Sequence, residues 1–311
     1  MINATVVGIP LDLGAENLGV DIGPNAIRYQ NLKEKLENSD FKISDIGNVP
    51  CTSRELLSIG NPKLKYLDEI LRVSELTAKI VYKLVNKKEK IIALGGDHSI
   101  CLGTVSGASA ATKNNLGLIY LDAHGDINTD KTSVTGNIHG MHLASLLGFG
   151  DKRLVQVFDK STKIKKINLL HIGGYDLDPG EVELIEKEKL NTYKIIDILS
   201  NGLAPLFLQI DKLKALVEDM WVSLDLDVID STYAPGAGMP NKAGLTYREI
   251  TTMCEYIGKN CHVIGIDVVE YNPLQDIDGK TAELAVELIA KLFGSNYSWY
   301  TNYLIKNNLK R

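Results

Sequence analysis

Apolar runs that do not alternate with polar residues constrain this chain most. Ile91-Ile92-Ala93-Leu94 and Leu118-Ile119-Tyr120-Leu121 are continuous, and the segment from Trp221 to Leu226 reads as a further strand. A strand with one wet face alternates apolar with polar; a strand buried on both faces does not. Helical spacing fills the intervals. From Pro62 to Lys88, Leu64, Leu67, Leu71, Ile80 and Leu84 recur among charged residues, which predicts a long amphipathic helix. From Thr246 to Gly258 a second helix opens on a Thr N-cap with Glu249 three residues on. Further helices are expected from Gly23 to Leu36 with Pro24 in the first turn, and over Ser99–Thr112, His139–Leu147, Pro179–Leu190, Pro205–Val217 and Gly279–Phe293. Further strands are expected over Thr5–Ile9, Phe41–Ile46, Asn168–Ile172, Tyr193–Ile198 and His262–Val268, and a loop over Thr129–Gly136. Alternating strands and helices, with many of the strands continuous apolar runs, predict an α/β fold: a parallel sheet covered on each face by helices. Hydrophobic residues make up 44% of the 311, enough for a sizeable core. No repeat or linker divides them, so one domain over residues 1–311 is expected.

Chemistry gathers where the strands stop. Asp122-Ala123-His124-Gly125-Asp126 follows one apolar run, and its three metal-capable side chains sit at alternate positions. They converge on one face if the chain stays extended. Asp225-Leu226-Asp227 repeats the pattern, His98 follows Gly95-Gly96-Asp97, and Glu270 follows the strand ending at Val268. In open α/β sheets, sites form outside the carboxyl ends of strands. Asp97 and Asp230 read equally well as helix or turn caps, and a lone His after a strand is more often structural. The clustering is different. Four carboxylates packed together repel one another and resist ionisation, and two divalent cations would balance them. Oxygen and nitrogen donors without Cys suit Mn²⁺ and, less specifically, Zn²⁺, Fe²⁺ or Co²⁺. Between two such ions a bridging water becomes a hydroxide nucleophile at neutral pH, so the chemistry implied is metal-assisted hydrolysis. Gly95-Gly96-Asp97-His98 is neither GxGxxG nor a P-loop, which leaves a phosphate cradle without support.

Net charge is −5, with Lys and Arg scattered, which argues against a nucleic-acid partner. No apolar run approaches the roughly 20 residues of a membrane span, and the N-terminus lacks a signal peptide's charged region. Cys51, Cys101, Cys254 and Cys261 have no CxxC spacing and read as reduced thiols of a cytoplasmic protein.

Taken together, Gly95-Gly96-Asp97-His98-Ser99, Asp122-Ala123-His124-Gly125-Asp126-Ile127-Asn128 and Ser223-Leu224-Asp225-Leu226-Asp227 resemble the ureohydrolases, the arginase and agmatinase family. The likeness runs from Gly19-Val20-Asp21-Ile22-Gly23-Pro24 to Val269-Glu270-Tyr271-Asn272-Pro273 and Lys280-Thr281-Ala282. It implies a three-layer α/β/α sandwich around a mostly parallel sheet of about eight strands. It also implies two Mn²⁺ per subunit. One would be held by His98, Asp122, Asp126 and Asp225, the other by His124, Asp122, Asp225 and Asp227, with Asp122 and Asp225 bridging. Asp126 would also orient the hydroxide, and Glu270 would pair with the substrate guanidinium. A trimer or hexamer is expected, because Tyr247-Arg248-Glu249 resembles a subunit-interface segment, although a charged helix start explains it nearly as well.

Within that family, Asn128 and Thr135-Gly136-Asn137-Ile138-His139-Gly140 resemble the arginase loop. Asn128, Thr135 and Asn137 would contact an α-carboxylate, and His139 would shuttle a proton. Asp178 and Glu181 resemble the residues that receive an α-ammonium. The expected reaction is therefore L-arginine and water to L-ornithine and urea. Agmatinase or another guanidino-acid ureohydrolase is the alternative, and a metal-binding oligomer without catalysis is a third reading. Three positions depart from the pattern: Thr135 where Ser is usual, Met239 where Thr is common near the guanidinium end, and His142 where Pro is frequent.

Overall fold

In the computed structural model, which describes residues 1–295, eight strands form one sheet: β1 (Ile2–Ile9), β2 (Phe41–Asn48), β3 (Lys90–Gly95), β4 (Gly117–Asp122), β5 (Leu169–Gly173), β6 (Thr192–Lys194), β7 (Asp219–Asp225) and β8 (His262–Val269). The order across the sheet is β2-β1-β3-β8-β7-β4-β5-β6, and every pairing in it is parallel.

Period-two alternation sorts the strand residues between two cores. Ile92, Leu94, Ile119, Leu121, Val222 and Leu224 point to one face, where they meet apolar residues of the helices Gly23–Tyr29, Ala204–Leu216, Tyr247–Asn260 and Lys280–Leu292. Ile91, Ala93, Leu118, Tyr120 and Trp221 point to the other, against Leu67–Asn86 and Cys101–Ala111. The result is the expected α/β/α sandwich. Cys101–Ala111 is made of small side chains, nearly all buried. A Cβ on Gly107 would lie 2.4 Å from the carbonyl oxygen of Ala78, so this helix packs backbone to backbone on Leu67–Asn86.

Several elements differ from the sequence reading. The long helix begins at Leu67, not near Pro62. Residues 60–65 instead form a small antiparallel hairpin, with Asn61 accepting a hydrogen bond from the Lys63 amide at 3.0 Å across the turn. The Gly23–Leu36 pattern breaks in two at Asn31, whose φ is 58°. The strand expected over Tyr193–Ile198 stops at Lys194, and Ile195–Asn201 is helix. There the Asp197 carboxylate accepts the Lys194 amide at 3.0 Å, and Ile195 and Ile198 bury together one helical turn apart.

Gly173 sets how closely β5 approaches the end of β4. Its φ is 123°, and a Cβ there would fall 2.0 Å from the carbonyl oxygen of Asp122. A Gly173→Ala variant is expected to lose about 1–3 kcal/mol of stability. Thermal unfolding checks this; an unchanged Tm would refute the close-approach argument.

Candidate metal centre and substrate cavity

The carboxyl edge of the central strands builds the site. Residues 118, 120 and 122 of β4 share a face, as do 221, 223 and 225 of β7. Each strand thus ends with a buried Asp after burying an aromatic ring: Tyr120 before Asp122, Trp221 before Asp225. The chain does not stay extended through Asp126, as the alternation argument required. β4 stops at Asp122, and Asp126 takes φ 51°. That turn still returns the Asp126 carboxylate to the cluster, while His124 faces Asp227. Glu270 also has positive φ, at 59°, so two acids of the site sit on constrained backbone.

His98 Nδ1 lies 2.9 Å from Asp122 Oδ2, 3.2 Å from Asp225 Oδ2 and 3.4 Å from Asp126 Oδ2. His124 Nδ1 lies 2.9 Å from Asp227 Oδ2 and 3.4 Å from Asp122 Oδ1. His98, Asp122 and Asp225 form one group that could hold an ion; Asp122, His124 and Asp227 form another. Asp122 belongs to both, in line with a bridging carboxylate, whereas Asp225 falls in the first group alone and Asp126, expected as a ligand of the first ion, in neither.

The donor chemistry fits divalent cations. One ring nitrogen carries at most one hydrogen, so His98 Nδ1 cannot satisfy three carboxylates. Burial works against a charged His98, yet the acceptor carboxylates of Asp122, Asp126 and Asp225 outweigh it and hold the ring well above its usual range. Burial, then the charges of Asp227 and Asp122, push Asp225 up; burial and Asp122 lift Asp227 to about 6.

A buried relay orients His98 from behind. Its Nε2 lies 2.8 Å from Ser223 Oγ, and Cys101 Sγ lies 3.2 Å from both Ser223 Oγ and Asp267 Oδ2. Asp267 Oδ2 also accepts from Trp221 Nε1 at 2.8 Å and Thr104 Oγ1 at 3.0 Å. Such partners fix the orientation of a ligating imidazole. The sequence reading missed Ser223, Cys101 and Asp267. A usable signal was present: Ser223 sits two residues before Asp225, as Asp267 does before Val269 at the end of β8.

A cavity of about 510 Å³ opens over the cluster. His124, Asp126, Asp225, Asp227 and Glu270 line its floor; Asn128, Thr135, Asn137, His139, Asp178 and Glu181 line it too, as does Met239. His98 and Asp122 lie buried beneath. All the site residues read from the sequence therefore meet in one place. Asn128 Nδ2 donates to Asp178 Oδ2 at 2.6 Å. Asp178 and Glu181 also cap their helix reciprocally, with Asp178 Oδ1 accepting the Glu181 amide at 3.0 Å and Glu181 Oε2 the Asp178 amide at 3.1 Å. Burial, then the charge of Asp126, lifts Glu181 to about 7.

His139 Nδ1 is 3.3 Å from Glu270 Oε1, which also accepts the His98 amide at 3.0 Å. Burial alone would push the His139 ring down. The hydrogen bond and charge of Glu270, with Asp126 and Asp97 behind, prevail and lift it to about 9. The ring is therefore protonated through neutral pH. Its stabilising contribution is fully present below about 6.5 and is lost as pH rises through about 9. An NMR titration of His139 in the metal-free protein is expected to show that midpoint. Glu270→Gln should return it toward about 6.5, and equal midpoints in the two proteins would refute the pairing.

This sheet and this edge of paired imidazoles and carboxylates define a class, an α/β protein with a candidate two-metal centre at the carboxyl ends of its strands. The arginase family model matches residues 2–294, and the chain belongs to that family. The arginase of Brevibacillus brevis is 40% identical over 293 residues, covering 94% of this chain and 98% of that one. The solved arginase of Bacillus caldovelox superimposes with a TM-score of 0.91 at 38% identity, covering 96% of this chain and 100% of the other. The arginase of Entamoeba histolytica, solved in complex with L-ornithine, gives a TM-score of 0.85 at 28% identity, with 94% and 98% covered. Among the described residues no helix is long and apolar enough to cross a membrane, and all four cysteines are free.

Proposed function

We propose that this protein hydrolyses L-arginine to L-ornithine and urea with two Mn²⁺ per subunit. The observation that carries the reading is one cavity with a His–carboxylate floor and amide, hydroxyl and acid groups on its wall. His98, Asp122, Asp126 and Asp225 would hold one ion; His124, Asp122, Asp225 and Asp227 would hold the other. Bound there, the ions supply Lewis acidity and lower the pKa of water toward neutrality. Glu270 pairs with the guanidinium, a planar cation suited to a carboxylate. Asp126 would orient the attacking oxygen by accepting its hydrogen. His139, within reach of Glu270, delivers a proton to the leaving amine. Asn128, Thr135 and Asn137 receive the α-carboxylate, and Asp178 and Glu181 the α-ammonium. The ornithine bound to the Entamoeba relative supports this substrate class.

The same reading takes residues 1–311 as one domain, supported by a single sheet whose strands run from Ile2 to Val269. It places the protein in the cytoplasm as a homo-oligomer, trimer or hexamer. Arg248, exposed beside the Thr246–Glu249 capping box, would face a neighbouring subunit. Parallel urea assays on arginine, agmatine and guanidinobutyrate at matched Mn²⁺ test the function. Arginine is expected to be turned over fastest. A preference for agmatine would overturn the carboxylate assignment, and no urea from any of the three would leave a metal-binding protein without catalysis.

A further inference from the structure

Tyr120 lies in the middle of an apolar run, yet its hydroxyl stands inside the ligand cluster. Tyr120 Oη is 2.7 Å from Asp126 Oδ2, 2.9 Å from Asp122 Oδ2, 3.0 Å from His98 Nδ1 and 3.1 Å from His142 Nε2. The residue is fully buried, and its ring stacks on His98 at 4.8 Å with planes 5° apart. Packing therefore leaves the hydroxyl little freedom to turn away.

Hydrogen counting shows what this cluster lacks. A phenol has one hydrogen to donate. The two carboxylates accept only, and they sit within 2.9 Å of the same oxygen. At most one can be a hydrogen-bond partner, and the other faces a lone pair. His142 sharpens the conflict. Its Nδ1 is 2.5 Å from the carbonyl oxygen of His139, which can only accept, so Nδ1 carries the hydrogen. In the neutral ring Nε2 then accepts, and the Tyr120 hydroxyl hydrogen goes there. Both phenol lone pairs are left facing Asp122 and Asp126. If His142 were a cation instead, the phenol hydrogen and the one hydrogen on His98 Nδ1 would still have three carboxylates, Asp122, Asp126 and Asp225, to serve. A positive ion among the oxygens removes the repulsion in either case.

The spacings fit that ion. In an octahedron with bonds of about 2.1 Å, neighbouring donor atoms lie about 3 Å apart. The five separations that Tyr120 Oη and His98 Nδ1 make with each other and with Asp122 Oδ2 and Asp126 Oδ2 run from 2.7 to 3.4 Å; four donors on an octahedron include one opposite pair, which here would be Asp122 and Asp126. We propose that Tyr120 is a further metal ligand, its hydroxyl oxygen joining His98, Asp122 and Asp126 on one ion while His142 holds the hydroxyl hydrogen. The proposal rests on reading the site as a two-metal centre. It also gives His142, which stands where the family frequently has Pro, a role as the residue that aims the phenol.

The test is calorimetric titration of the metal-free protein with Mn²⁺, wild type against Tyr120→Phe, together with a crystal structure of the Mn²⁺-loaded wild type. Phe keeps the ring and removes only the oxygen. One of the two sites is expected to weaken at least about 10-fold, with the other within twofold. The structure is expected to show Tyr120 Oη at the same distance from that ion as the carboxylate oxygens. Unchanged affinities in Tyr120→Phe overturn the proposal. So does a loaded structure with Oη outside the coordination sphere, which also covers a variant that fails to fold. If the wild type binds both ions and releases urea while either of those results holds, Tyr120 alone is wrongly assigned. If the wild type binds no ion, the two-metal reading fails with it.

Discussion

An Asp122→Asn variant is expected to release urea at least about 10²–10³-fold more slowly than wild type and to lose both metal ions at wild-type saturating Mn²⁺. Asp122 is the carboxylate that both ligand groups share. Its Oδ2 faces His98 and its Oδ1 faces His124, whose backbone amide it also accepts at 2.7 Å. Asparagine preserves the shape and the loss is electrostatic. One formal charge disappears from a set of four Asp, and an amide NH₂ faces an imidazole where an oxygen stood. Asp230→Asn is the matched control. Asp230 lies just beyond the same edge and its Oδ1 accepts the Thr232 amide at 2.9 Å, a turn interaction. Its loss should cost about 1 kcal/mol of stability at most and leave turnover alone. Metal analysis of the purified proteins with urea assays decides the matter. Two ions and normal turnover in Asp122→Asn would end the assignment of Asp122 as the shared ligand.

How much of this site the sequence disclosed depends on distance along the chain. Asp122, His124 and Asp126 are legible because strand termination and ligand spacing are local properties. The α/β class is legible for the same reason, since each buried strand announces itself in four to six residues. The strand order is not local. β8 and β7 lie between β3 and β4, which pairs Tyr120 with Ser223, Ser223 with Asp267 and Asp267 with Ala93 in one row. That row runs directly beneath the row holding Asp122 and Asp225, and it supplies the groups that back the candidate ligands. Read alone, Tyr120 is one more apolar strand residue and Cys101 one more buried thiol. Their chemistry follows from neighbours that only the parallel register brings. Local rivalry explains the misread elements: Asp197 capping Ile195–Asn201 cut short a plausible strand, and the Asn61–Lys63 turn delayed a plausible helix.

Substrate choice should respond to a different pair of residues. A Thr135→Ala, Asn137→Ala double variant is expected to raise the arginine KM by about 10²-fold, with agmatine turnover unchanged. Asn137 Oδ1 accepts Lys65 Nζ at 3.0 Å, and Lys65 is itself paired with Glu16 at 2.5 Å. With its oxygen taken, the Asn137 amide can only donate; Glu16 accepts one of its hydrogens and the other remains to offer. Thr135 Oγ1 accepts the Asn137 backbone amide at 3.2 Å, so the hydroxyl hydrogen is free to donate. Both donors therefore suit an anion and would gain nothing from an aminobutyl end that lacks one. A hydrogen bond to a charged group contributes about 1.5–3 kcal/mol, and two lost together span about 10²–10⁴ in kcat/KM. Because the metal ligands are untouched, kcat at saturating arginine should change far less than KM. Arginine KM at its wild-type value, or agmatine turnover falling in parallel, would mean that this wall of the cavity shapes the site without reading the carboxylate.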